Sequence, residues 1–210
     1  MLGTRIDPPQ KQLAATEVFF RICPGDGPAR MAKMNTRSNA ENQALGSDPS
    51  GAILEILDRC HVLSLATKRH DGWPQVTMVN YLHIGLDIYF VIARDSQKFR
   101  NIDDDDRVSI AVGQMDDKGG VIGLSMAARA QEITQPHRIA ELNKAITHRA
   151  AEAGFTPHPS SQQVAVMKAE PEIITLIDYA RPPGRRRHFR VVEDWRLEPI
   201  EERPGENPPT

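Results

Sequence analysis

Ser96, Gln97 and Lys98 follow closely on an apolar run at residues 88–93. With that run as a buried strand and Asp95 or Ser96 as a helix cap, the three residues fall in the first turn of a helix. Free backbone N–H groups and the positive end of the helix dipole gather there and favour an anion. Lys98 adds a full positive charge and Ser96 a hydroxyl donor, a set suited to a phosphate monoester. A plain capped helix with an exposed lysine explains the same residues.

Residues 181–190 pack five arginines and His188 into ten positions without an acid. Arg186, His188 and Arg190 alternate with other residues in this stretch. Three readings fit: a solvated basic turn, a clamp for a cofactor or anionic substrate, and a nucleic-acid patch. Without an aromatic groove the last is thin, and no nucleic-acid partner is expected. The seven histidines form no His-Glu-x-x-His motif and no i, i+4 pair, so no metal is expected. Nor is there a nucleophile elbow, a phosphate-binding Walker loop or a dinucleotide glycine motif. The catalytic residue stays unassigned.

The elements that must position these groups are legible from periodicity and punctuation. Asp48 and Pro49 start a short amphipathic helix carrying Ile53, Leu54, Ile56 and Leu57, which ends near Cys60. Strands are expected at 61–67, about 75–84 and 88–93, with turns at residues 68–72 and 85–87. A helical turn or two covers 95–102, closed by the four aspartates at 103–106, and strands follow at 107–114 and 121–134. Ile139, Leu142, Ile146 and Ala150 line one face of a helix that Gly154 stops. Residues 156–163 read as a loop and 164–168 are too short to assign; strands at 172–179 and 187–192 follow. Strands in hairpin order with a few inserted helices imply an antiparallel barrel, since closure removes exposed edges.

Several motifs in this order carry a resemblance: Gly72 and Pro74 around Trp73, then Val76 to Val79, Tyr89 and Phe90, Ser96 and Lys98 with Asn101 and Ile102, and Asp106 to Ile110. Together they resemble the pyridoxamine 5'-phosphate oxidase-like, FMN-binding split-barrel superfamily over roughly residues 52–134. The resemblance implies a mainly β fold, a six-stranded antiparallel split barrel with helices, paired as a homodimer. It places Thr77, Met78, Val79 and Asn80 along the flavin ring and ribityl chain, and Val91 and Ile92 beside the ribityl and phosphate. It gives the phosphate to Gln97 and Lys98, with Ser96 at the cap. Arg186, His188 and Arg190 resemble a substrate-phosphate signature, although Phe189 and Ala180 depart from it.

Other departures bear on the cofactor. Thr77 and Gln97 stand where the oxidases carry arginines, Leu82 where they carry a lysine, Gly123 where a glutamine is expected and Ala128 where a glycine is. The phosphate pocket is therefore less positive, which admits a deazaflavin as the alternative to FMN. The implied function is a flavin-dependent oxidoreductase with a small-molecule substrate and NAD(P)H as a candidate electron donor. The alternatives are a deazaflavin-dependent or haem-handling relative on the same fold, and a non-catalytic flavin-binding or sensing protein.

Composition frames these readings. The chain has 210 residues and a net charge of −2, so no whole-chain field draws it to nucleic acid or a membrane surface. Five of the 16 prolines lie in residues 1–50 and four in 199–210. The expected organisation is an N-terminal tail at 1–47, a split-barrel domain at 48–198 and a C-terminal tail at 199–210. Met31 and Met34 offer later translation starts. Two cysteines, Cys23 and Cys60, make a disulfide framework improbable. No signal-peptide pattern or membrane-length apolar run occurs, and the expected location is the cytoplasm.

Overall fold

The first helix, α1 (Pro49–Arg59), begins where the Asp48 carboxylate accepts from the backbone N–H of Ser50 at 3.0 Å and of Gly51 at 3.1 Å. Pro49 occupies a first-turn position that needs no donor. The computed structural model describes residues 48–115, 119–152, 154, 163–180 and 184–201. They lie within the second of two units, Gln43–Thr210. The expected start sites and N-terminal tail fall outside them, as do most of the 156–163 loop and the end of the C-terminal tail.

After α1 the chain runs β1 (Val62–Lys68), β2 (Pro74–Ile84), β3 (Asp87–Ala93), α2 (Gln97–Asp104), β4 (Arg107–Met115), β5 (Val121–Glu132), α3 (Pro136–Glu152), β6 (Val164–Asp178), β7 (Arg185–Val191) and β8 (Leu197–Ile200). Glu193–Trp195 forms a 3-10 turn before β8. The strand order is β3-β2-β1-β4-β5-β6-β7-β8, and β6 also pairs with β3. That second pairing closes the first six strands into an antiparallel barrel, as the sequence implies. Closure satisfies ladder groups that an open sheet would leave at its edges.

Two sequence expectations are changed by the structure. Residues 164–168 and the strand expected at 172–179, as far as Asp178, belong to one strand, β6, whose first half closes the barrel on β3 and whose second half carries β7 along the same edge. Pro171 sits inside it, next to a register shift against β5 where Ala127 pairs with Ile173 and Ala128 with Pro171. A bulge relieves proline of the ladder donor it lacks. The boundary expected at 198 falls inside β8, which pairs with β7 as far as Ile200 opposite His188.

Strand alternation fills the interior. Leu63 and Leu65 of β1, Val108, Ile110 and Val112 of β4, and Leu124 and Met126 of β5 enter one core with Ile53 and Leu57 of α1. Burying each such side chain contributes about 1.5–3 kcal/mol. β3 is covered on both faces: Ile88, Phe90 and Ile92 point inward, while Tyr89 and Val91 meet Leu142 and Ile146 of α3. Phe189 of β7 reaches the main core, and Val191 and Leu197 pack against it. At Gly85, φ is +59° and an added β-carbon would overlap the Trp195 ring, so only glycine fits this hairpin turn. No helix among the described residues is long and apolar enough to cross a membrane.

Candidate functional site

β2 changes partner along its length. Residues 74–80 pair with β1 and residues 81–84 with β3. β3 in turn pairs with β2 only from Asp87 to Phe90, while its last residues, Val91, Ile92 and Ala93, pair with β6. The register between β2 and β3 thus stops at Tyr81 opposite Phe90, leaving a split between residues 74–80 on one lip and 91–93 on the other. The two segments expected to line a ligand occupy these two lips. Backbone groups on a lip lack a ladder partner on that side and are available to a ligand.

The chain leaving β3 enters α2, whose cap is Ser96. Its Oγ accepts from Phe99 N at 3.3 Å and donates to the Ala93 carbonyl at 2.6 Å, which ties the helix start to the end of β3. Three basic residues lie near this turn, and two are engaged. Arg94 pairs with Glu132 and lies over the Phe99 ring. Arg100 donates to the Asp95 carbonyl at 2.7 Å and to Gln97 Oε1 at 3.2 Å. Lys98 is half-buried and has no carboxylate partner among the described residues, and burial holds its ammonium below the ordinary lysine range. An anion would offset that desolvation.

The remaining expected residues divide by strand alternation. Thr77 and Val79 share the inner face with Tyr81, and Met78 and Asn80 share the outer face. Thr77 Oγ1 and Asn80 Oδ1 are both buried without a hydrogen-bond partner. Such atoms cost free energy unless something satisfies them, so they mark polar positions suited to a ligand. Val79 and Ile92 lie in the barrel core and Val91 packs on the α3 side, so these three offer backbone groups rather than side chains. Gln97, expected at the phosphate, donates from its Nε2 to Asn101 Oδ1 at 2.9 Å.

Sequence reasoning gave Asn101 no role beyond its place in a motif. Its side chain is 1% exposed and donates to Thr67 Oγ1 of β1 at 2.9 Å and to Gln75 Oε1 of β2 at 3.0 Å. A polar residue beside Ile102 on the buried side of a short helix is the one local signal that could have found it.

Arg186, His188 and Arg190 share a face of β7 and stand opposite Ile177, Thr175 and Ile173 of β6. His188 is buried, with Nδ1 2.9 Å from Thr175 Oγ1, whereas Arg186 and Arg190 are exposed. The segment from Arg185 is therefore a strand rather than a basic turn, and β7 is not bonded to either lip of the split. Gly123 lies directly opposite Gly113, and a β-carbon there would come within 2.7 Å of the Val112 carbonyl. That close approach explains why no longer side chain stands at 123. Among the described residues no group of three or more His, Cys, Asp or Glu side chains converges to hold a metal.

The family described as pyridoxamine 5'-phosphate oxidase matches residues 50–178. A candidate pyridoxamine 5'-phosphate oxidase from Listeria innocua is 21% identical, with 61% of this chain and 98% of that chain covered at a TM-score of 0.52. An FAD-binding protein from Mesorhizobium loti is 17% identical over 58% of this chain and 88% of its own, at a TM-score of 0.50. A haem-binding protein from Mycobacterium smegmatis is 20% identical over 66% of this chain and 58% of its own, at a TM-score of 0.54. At these identities the likeness is one of fold. No curated protein matches the chain.

Proposed function

Because the chain belongs to the pyridoxamine 5'-phosphate oxidase family across residues 50–178, we propose that it binds FMN in the split between β2 and β3 and acts as a flavin-dependent oxidoreductase. The observation that carries this reading is the pair of buried, unpartnered oxygens on β2, Thr77 Oγ1 and Asn80 Oδ1, on a lip of the same split from which β3 leads into α2 and Lys98. When bound, FMN supplies two-electron exchange with a substrate, a chemistry that needs little from the protein beyond placement.

The chain's own residues supply that placement. Lys98 and the first-turn N–H groups of α2 hold the phosphate. The hydroxyl of Thr77 donates to, and the amide of Asn80 bonds with, polar atoms of the ring and ribityl chain. The backbones of Val79, Val91 and Ile92 form the walls, and the core behind them keeps water from that side. Arg186, His188 and Arg190 form a clamp for an acidic small-molecule substrate, with Thr175 orienting the His188 ring. NAD(P)H is the electron donor in this reading.

The working unit is a homodimer. The outer sheet face carries small side chains at Ser64, Ala66, Ser109, Ala111 and Ser125, and Val76 and Met78 are exposed beside them, at 63% and 47%. A face of small side chains suits a second copy, since the copies can approach closely there and its apolar margin gains from burial. The engaged Gln97 favours one second reading. A deazaflavin phosphodiester, with one negative charge, is matched more evenly by a single free lysine than a phosphomonoester is.

The test is the absorption spectrum of the purified protein with mass identification of any released ligand, followed by titration with FMN. A flavin spectrum, or saturable FMN binding followed by bleaching with NAD(P)H, supports the proposal. A colourless protein that fails to take up added FMN rejects it.

A further inference from the structure

Asn101 joins three elements through one side chain. From the middle of α2 it donates to Thr67 Oγ1 on β1 and Gln75 Oε1 on β2, and it accepts from Gln97 Nε2 at the first position of its own helix. Thr67, like Asn101, is almost fully buried, at 3% and 1% exposed. A fully satisfied polar cluster in a low-dielectric setting permits one arrangement and penalises displacement, because any shift strands a buried donor or acceptor. Ile102, next in sequence, anchors the same turn apolarly in the barrel core.

We infer that Asn101 is a positioning residue for the phosphate end of the ligand, an inference that rests on the FMN reading above. The bonds to Thr67 and Gln75 set where α2 sits against β1 and β2. The bond to Gln97 passes that setting one turn back, to the residue that precedes Lys98. Asn101 itself touches no ligand in this account; it fixes where the first-turn N–H groups and the Lys98 ammonium stand. The same link explains why Gln97 contributes no side-chain contact to the phosphate, since its amide is spent on holding the turn.

The experiment compares equilibrium binding of FMN and riboflavin, read by flavin fluorescence, in the wild type, Asn101→Ala and Thr67→Val, with thermal melting as a check on folding. Thr67→Val keeps the side-chain shape and removes one acceptor, so it carries the test if Asn101→Ala does not fold. The wild type should prefer FMN, and both variants should lose about fivefold to tenfold of that preference while riboflavin affinity changes by less than about twofold. A wild type that prefers FMN and variants that retain its full preference overturn the inference alone, as do equal losses for both ligands. A wild type that does not distinguish FMN from riboflavin overturns the FMN reading and this inference together.

Discussion

Arg149 Nη2 stands 3.0 Å from the carbonyl oxygen of Leu57, so a side chain from α3 caps the last turn of α1, 92 positions earlier in the chain. The same nitrogen lies 3.0 Å from the carbonyls of Asp58 and Cys60, and the guanidinium lies over the Tyr81 ring. Helix C-termini leave carbonyls without intrahelical donors, and a cation there also meets the negative end of the dipole. Tyr81 adds its hydroxyl to the Leu57 carbonyl at 2.9 Å. Burial raises the Tyr81 pKa well above the ordinary tyrosine value, which keeps the hydroxyl a donor.

Arg149→Met keeps the apolar stem and removes the cap. It should lower stability by about 1.5–3 kcal/mol, the range for hydrogen bonds to a charged group. Urea denaturation reads this directly, and an unchanged midpoint would show that water replaces the guanidinium at no cost.

His61 should make stability depend on pH. Burial chiefly, and Arg149 next, lower its pKa, while Glu152 opposes them. The unfolded chain takes up this proton near pH 6.5 and the folded chain only at lower pH, so the unfolded state binds more protons in between. The contribution is complete above about pH 6.5 and declines as pH falls below it. His61→Gln should flatten that part of a stability profile between about pH 5 and 8, and an identical slope in wild type and variant would remove His61 as its source.

Lys98→Ala should weaken FMN by about tenfold to a hundredfold while leaving riboflavin within about twofold, because it removes a charge-assisted phosphate contact alone. Paired titrations with the two flavins measure this, and equal losses would move Lys98 away from the phosphate.

Ala111→Glu, on the outer sheet face opposite Ser64, should convert a dimer to a folded monomer by burying a charge against its own copy. Light scattering gives the mass and circular dichroism the fold. A variant that remains dimeric would place the interface elsewhere.

How legible each feature was follows from how local its cause is. Gly72 and Gly85, at φ +86° and +59°, mark the two hairpin turns that the sequence indicates, and Ser96 caps α2 through its own side chain. Leu142, Ile146 and Ala150 are the buried stripe of α3, as their spacing requires. The split was legible only as two lists of residues, because its existence depends on where β2 leaves β1 for β3.

By itself the sequence determined the elements from α1 to α3, the strand that became β7 and the polar turn bearing Lys98, but not β8 or the first part of β6, because capping, turn chemistry and periodicity act over a few residues. The tertiary structure decided the rest. Pro171 argued locally against one long strand, and only the bulge against β5 made β6 continuous and let it close on β3. Asn101 gained its partners only when α2 packed against β1 and β2, and Arg149 its carbonyls only when α3 docked beside the end of α1. Such pairings join residues far apart in the chain, and no short window of sequence contains both partners.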